Sequence, residues 1–165
     1  MNQGTIISVA ALLPFLTFGA EVAPAQEAKD LVGAWEQVGN ISTNAQGEKR
    51  DAFGSSPKGQ ALFTNDGRFA VILHRADLPK FAGNNRLQGT PEEYKTIVTG
   101  SIALYGSFTV EDKTLHMKVE GSTFPNWVGT IQKRPIPKLT TDEMVFTNSI
   151  GSSGGQNEVS FKRIK

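Results

Sequence analysis

Residues 31–40 read LVGAWEQVGN, with Gly33 two places before Trp35, and this stretch decides the fold. Strand alternation places Trp35, Gln37 and Gly39 on one face and Ala34, Glu36 and Val38 on the other. Glu36 belongs in water, so Trp35 points inward. A glycine beside it leaves room for another part of the chain to approach closely. Where a first strand crosses the closed end of a small barrel, a large indole plugs the base. On the last apolar run, EVSFKRI (158–164), Val159, Phe161 and Arg163 share a face. Arg163 is expected to lie over Trp35, because a guanidinium favours an indole face.

The rest of the chain supplies the barrel. Short β-like runs are separated by turn clusters, starting with strand one at about 31–41 and a long polar segment, STNAQGEKRDAFGSSPKG (42–59). QALFT (60–64) and RFAVILH (68–74) flank Asn65-Asp66-Gly67, a hairpin signal. SIALYGSFTV (101–110) and TLHMKVEG (114–121) flank a second hairpin at Glu111-Asp112-Lys113. WVGTIQKRPI (127–136) and EMVFTNSI (143–150) flank a turn around Thr140 to Asp142. One helix interrupts the strands at TPEEYKTIV (90–98), with Thr90 as N-cap, Pro91 at the first helical position and Glu93 completing a capping box. Tyr94, Ile97 and Val98 form its single apolar stripe, suited to covering a cavity mouth. The expected fold is all-β: an eight-stranded antiparallel up-and-down β-barrel with one short helix, closed so that no edge is exposed.

Composition narrows the function. A net charge of +1 gives no field to draw nucleic acid or a membrane surface. The absence of cysteine removes disulfides, thiolate metal sites and a cysteine nucleophile. The apolar run TIISVAALLPFLTFGA (5–20) ends near Ala23-Pro24-Ala25, a small-x-small cleavage site, and reads as a signal peptide over 1–25. The barrel domain is then 26–165, secreted or periplasmic, with no stable membrane insertion after cleavage. Asn40-Ile41-Ser42 matches a glycosylation triplet, of meaning only in a eukaryotic host.

Several motifs together resemble the bacterial and fungal lipocalin-like domain family: FGSSPKG (53–59), FTNDGRFAV (63–71), GTPEEY (89–94) and VEGSTFPNWVGT (119–130), besides the Gly-x-Trp. The resemblance runs from about Leu31 to Arg163. It implies a calycin-type barrel with an internal cavity. The family pattern has histidines just before VEGS, where this chain has His116-Met117-Lys118.

Candidate chemistry is sparse. His116 shares a face with Thr114, Lys118 and Glu120, which reads as solvated. His74 ends its strand near an irregular stretch. No histidine spacing suits a metal, and no cofactor is expected. GSSGG (151–155) lacks the Lys-Ser/Thr and helix of a phosphate loop. QKRPIPK (132–138) and FKRIK (161–165) are basic without interleaved aromatics, so they read as solvated strand and tail rather than a nucleic-acid groove. The loop 74–94 crowds Arg75, Arg86, Glu93 and Tyr94 beside the capped helix. Pro125 bends the chain so that Phe124 and Trp127 can line the cavity rim, with Asn126 offering an amide.

The sequence therefore points to a binding module that holds a small, largely apolar molecule. Gln37, Arg75, Arg86, Tyr94, Tyr105 and Asn126 are its polar anchors and Trp127 a wall. The alternatives are a cofactor-independent isomerase, cyclase or hydrolase using Glu120 or His74, and an envelope protein with a filled core. The exported protein is expected to begin at Gln26 or within a few residues of it. N-terminal sequencing of the secreted fraction checks this, and a cytoplasmic protein retaining Met1 would refute it.

Overall fold

A computed structural model describes residues 27–165, so the signal-peptide reading of 1–25 lies outside the described residues. A helical turn, α1 (Ala28–Leu31), precedes β1 (Gly33–Thr43). Strand one thus starts two residues later than the sequence indicates. Leu31 turns into the core, and Gly33 makes the bend at φ 130°, a conformation that side-chain-bearing residues rarely adopt.

The other strands are β2 (Lys49–Asp51), β3 (Lys58–Phe63), β4 (Arg68–His74), β5 (Ser101–Glu111), β6 (Thr114–Ser122), β7 (Ile131–Pro135), β8 (Lys138–Leu139), β9 (Glu143–Asn148) and β10 (Gln156–Arg163). The helix α2 (Pro91–Thr99) lies between β4 and β5. All are antiparallel in one curled sheet of order β7-β6-β5-β4-β3-β1-β10-β9-β8, with β2 also on β1. The eight expected strands are present; the two additional ones, β2 and β8, are short.

The expected 127–136 strand is divided. Its start is a 3-10 turn at Pro125–Trp127, and only 131–135 is extended. The turn around Thr140 joins β8 to β9 rather than β7 to β9. Pro135 and Pro137 lack the N–H groups that a continuing ladder needs. β7 pairs only with β6 among the described residues, which leaves a seam facing β9.

The closed end is built on Trp35, which is fully buried. Its indole Nε1 donates to the Leu31 carbonyl at 2.8 Å, so the polar edge of the ring is satisfied. Arg163 lies over the ring at 4.0 Å from its centroid. The same guanidinium donates to the carbonyls of Val32 at 2.6 Å, Asp30 at 2.9 Å and Thr141 at 2.5 Å. A Cβ on Gly33 would sit 2.7 Å from Arg163 Nη1 and would displace that guanidinium, so the close approach adds to the φ that favours glycine.

A β-bulge at Val38 changes the alternation of β1. Trp35 and Gln37 face inward as expected, but beyond the bulge Asn40 and Ser42 are the buried residues and Gly39 is not.

Trp35→Ala is expected to cost about 3–5 kcal/mol, by loss of packed volume and of the Arg163 stack. Chemical denaturation measures it, and near-wild-type stability would show that the plug does not hold this end.

Candidate functional site

The strand ends away from Trp35 enclose a cavity of about 550 Å³. Its interior has two kinds of wall. Alternation on β4, β5 and β6 turns Val71, Leu73, Ile102, Leu104 and Met117 inward, and these make an apolar side. On the facing strands, Phe146 and Val159 alternate with Asn148 and Asn157, and the bulge brings Asn40 beside them. Arg134 of β7 completes the polar side.

Arg134 is buried, with 5% of its surface exposed. The sequence reading placed it in a solvated strand; the structure corrects this, because Arg134 shares its face of β7 with the core and Ile136 just beyond the strand is also buried. Its Nη1 donates to Asn148 Oδ1 at 3.1 Å and to the Lys133 carbonyl at 3.2 Å, and its Nη2 donates to Gln132 Oε1 at 3.2 Å. The guanidinium also lies 5.4 Å from the Trp127 ring centroid. Burial pushes its pKa down to about 10, which still leaves it a cation at neutral pH.

The mouth is formed by three segments. Phe124 and Trp127, set edge to face at 5.4 Å, flank the 3-10 turn that Pro125 begins. Val98 and Thr99 come from the last turn of α2. Arg50, Ala52 and Phe53 come from β2 and the residues after it, inside the segment that reads as merely polar. Phe53 was the available signal there, a lone aromatic in a polar run.

The cap of α2 is formed as the sequence indicates. Thr90 Oγ1 accepts from the Glu93 N–H at 3.2 Å, and Glu93 Oε2 accepts from the Thr90 N–H at 2.7 Å. Glu93 Oε1 also accepts from the Ala82 N–H at 2.9 Å, tying the helix to the preceding loop. Tyr94 packs on Phe81 at 5.7 Å, and its hydroxyl accepts from the Gly89 N–H at 2.7 Å. Of the stripe, Val98 reaches the cavity, while Tyr94 serves the loop.

Of the residues singled out from sequence, Trp127 is on the cavity wall, with Phe124 and Val98 at the mouth. Gln37 is buried nearer the base, against Gly59, with neither amide atom partnered among the described residues. Arg75 forms a two-pronged pair with Asp77 at 2.8 and 2.7 Å, and Arg86 is exposed on the same loop. Tyr105 is exposed on the outer face over Gly121, and Asn126 is exposed at the 3-10 turn. His74 lies on the face of β4 opposite the core, with Nδ1 2.8 Å from the Arg75 carbonyl oxygen. Glu120 is on the outer face of β6, where Arg68 grips both carboxylate oxygens at 2.6 and 2.7 Å. That hydrogen-bonded guanidinium holds its carboxyl below the usual range, the reverse of what a proton donor at neutral pH needs.

A family model described as a lipocalin-like domain matches residues 32–162. The chain belongs to the lipocalin-like domain family. A 4'-hydroxy-3'-methoxypropiophenone carrier protein of Aspergillus oryzae (strain ATCC 42149 / RIB 40) is 35% identical over 71 residues, a match covering 38% of this chain and 63% of that relative. Among solved structures, a lipocalin-like protein from Bacteroides uniformis ATCC 8492 has a TM-score of 0.46 at 12% identity, covering 82% of this chain and 99% of that one. A redesigned β-barrel bound to DFHBI has a TM-score of 0.39 at 19% identity, covering 82% and 97%.

The N-terminal cap of α2 holds a carboxyl whose pKa the fold shifts. Backbone N–H groups of Thr90 and then Ala82 hold the Glu93 carboxyl below its ordinary value. Such a group contributes stability above the ordinary carboxylate range, and that contribution is lost as pH falls through the depressed value. The amide resonances of Thr90 and Ala82 are expected to titrate together with one midpoint below the usual glutamate range. In Glu93→Gln the joint transition should be gone; its persistence would assign the cap to another group.

Proposed function

We propose that the protein is an exported carrier that holds a small, largely apolar molecule inside its barrel. The observation that carries this reading is the 550 Å³ cavity with one continuous apolar wall. That volume falls within the roughly 300–1,000 Å³ of small-molecule sites, which pair mostly apolar walls with a few polar groups. The filled-core reading does not fit a void of this size. Family membership supports a binding role, and the Aspergillus oryzae relative is itself named as a carrier of an aryl ketone. Export rests on the N-terminal apolar run and its small-residue cleavage site.

The enzyme reading is less well supported. The titratable side chains among the described cavity residues are Arg50 and Arg134, and the two acid–base candidates, Glu120 and His74, lie on the outer face. An arginine is a poor proton carrier at neutral pH.

Native mass spectrometry of the protein purified from its own host is expected to show a retained small-molecule mass. Leu104→Trp, which fills the apolar wall, is expected to abolish that mass while the protein still melts cooperatively. A wild-type spectrum showing the bare polypeptide, with no cavity ligand recovered by extraction, would argue against a carrier.

A further inference from the structure

We propose that the polar wall of the cavity is a head-group site for a monoanion, a carboxylate, sulfonate or ionised phenol on an apolar body, with Arg134 as its counter-charge. This deepens the carrier reading and depends on it.

Arg134 is the one charged residue among the described residues that is buried. No carboxylate lies within ion-pair distance of it among the described residues. Its three hydrogen bonds all go to neutral oxygens and are long, 3.1 to 3.2 Å. They aim the guanidinium but leave its charge unanswered, and a buried charge without a counter-ion is a strongly unfavourable arrangement. Among the described residues its Nε makes no hydrogen bond and its Nη2 makes one, so N–H groups remain to donate to an oxyanion.

The neighbouring strands place further unpartnered polar groups beside it. Asn40 Oδ1 and Asn157 Oδ1 are buried without hydrogen bonds. Asn148, which accepts from Arg134, stands directly across from Asn157 in the β9–β10 ladder. Asn157 stands across from Ser42 in the β1–β10 ladder, and Asn40 is the next same-face residue of β1. Arg134, Asn148 and Asn157 therefore follow one another across β7, β9 and β10, with Asn40 of β1 one inward-facing position closer to the base, opposite Val159. A half-turn of an asparagine amide exchanges its donor and acceptor, so Asn40 and Asn157 can donate to an anionic oxygen or accept from a hydroxyl beside it.

A neutral carbonyl would use the free N–H groups and leave the charge in place; an anion answers both. Arg134 is the one buried cation of the lining, Arg50 at the mouth being exposed to solvent, and one buried cation matches one negative charge. The apolar wall opposite matches the rest of the molecule. The competing explanation is structural: Arg134 reaches from β7 to Asn148 of β9 across the seam that no backbone ladder closes.

The test compares two fluorescent probes with one skeleton, 8-anilinonaphthalene-1-sulfonate and its neutral counterpart N-phenyl-1-naphthylamine. The wild-type protein at neutral pH is expected to bind the sulfonate about 10- to 100-fold more tightly. Arg134→Gln should erase that preference with the neutral probe bound as before, and Arg134→Lys should keep part of it. Lys133→Gln, on the outward face of the same strand, should change neither probe. Thermal melts accompany each variant, and the wild-type comparison stands even if Arg134→Gln does not fold. Equal affinities in the wild type, a preference that survives Arg134→Gln, or a preference lost equally in Lys133→Gln would overturn the head-group site and leave the carrier reading intact. Failure of both probes to bind would overturn the carrier reading itself.

Discussion

The stack of Arg163 on Trp35 is the contact on which the rest of the molecule depends. It joins three parts of the chain that are far apart in sequence. The guanidinium holds the ring of β1 on its face, the carbonyls of Asp30 and Val32 ahead of that strand, and the Thr141 carbonyl from the turn between β8 and β9. It can do so because Gly33 presents no side chain. The stack opposes Trp35 to Arg163 and so sets the register of the β1–β10 ladder, which among the described residues pairs the first strand with the last. Cation–π attraction and three carbonyl acceptors act on a planar group that stays charged, so the geometry is held by direction as well as burial.

Register at the base governs the chemistry of the cavity. From Trp35 the inward face runs through Gln37, and the Val38 bulge then turns Asn40 and Ser42 inward. Without the bulge, Gly39 and Ile41 would face the interior and the wall would be small and apolar. The inserted residue thus changes what β1 contributes to the interior from small and apolar to polar. The opposite strands, β4 to β6, keep uninterrupted inward apolar positions across the cavity. In the proposed carrier role, an interior divided in this way would discriminate by the two ends of a ligand rather than by volume alone.

The seam between β7 and β9 belongs to the same design. Pro135 and Pro137 end the β7 ladder, so the sheet curls without a continuous hydrogen-bonded closure. Side chains occupy the gap instead: Arg134 bonds Asn148 across it and lies against Trp127. A buried arginine with neutral partners sacrifices stability that an apolar residue of similar volume would keep.

How far the molecule could be read from its sequence is best seen residue by residue. Local and periodic signals decided much of it. Asn65-Asp66-Gly67 and Asp112-Lys113 form turns with positive φ at Gly67, Asp112 and Lys113, and Thr90 with Glu93 caps α2, because turn and cap chemistry acts over a few residues. Alternation placed Trp35 inward, Arg163 above it and Glu120 outward, because side chains on a strand change face at each step. The cavity's polar wall was not accessible in that way. Asn40 is buried because a bulge shifted the parity of β1, and nothing local to Val38 announces an extra residue. Arg134 sits in a run where Ile131 and Ile136 suggest opposite faces, and only the packed sheet puts Ile136 and Arg134 inside with Ile131 exposed. The sequence by itself determined most of the long strands, the hairpin turns at 65–67 and 111–113, the capped helix and the plug, each a matter of neighbouring residues or of simple alternation. The tertiary structure alone decided which polar side chains share an interior, because that depends on the curl of the sheet, a shifted register and an unpaired seam that join residues separated along the chain.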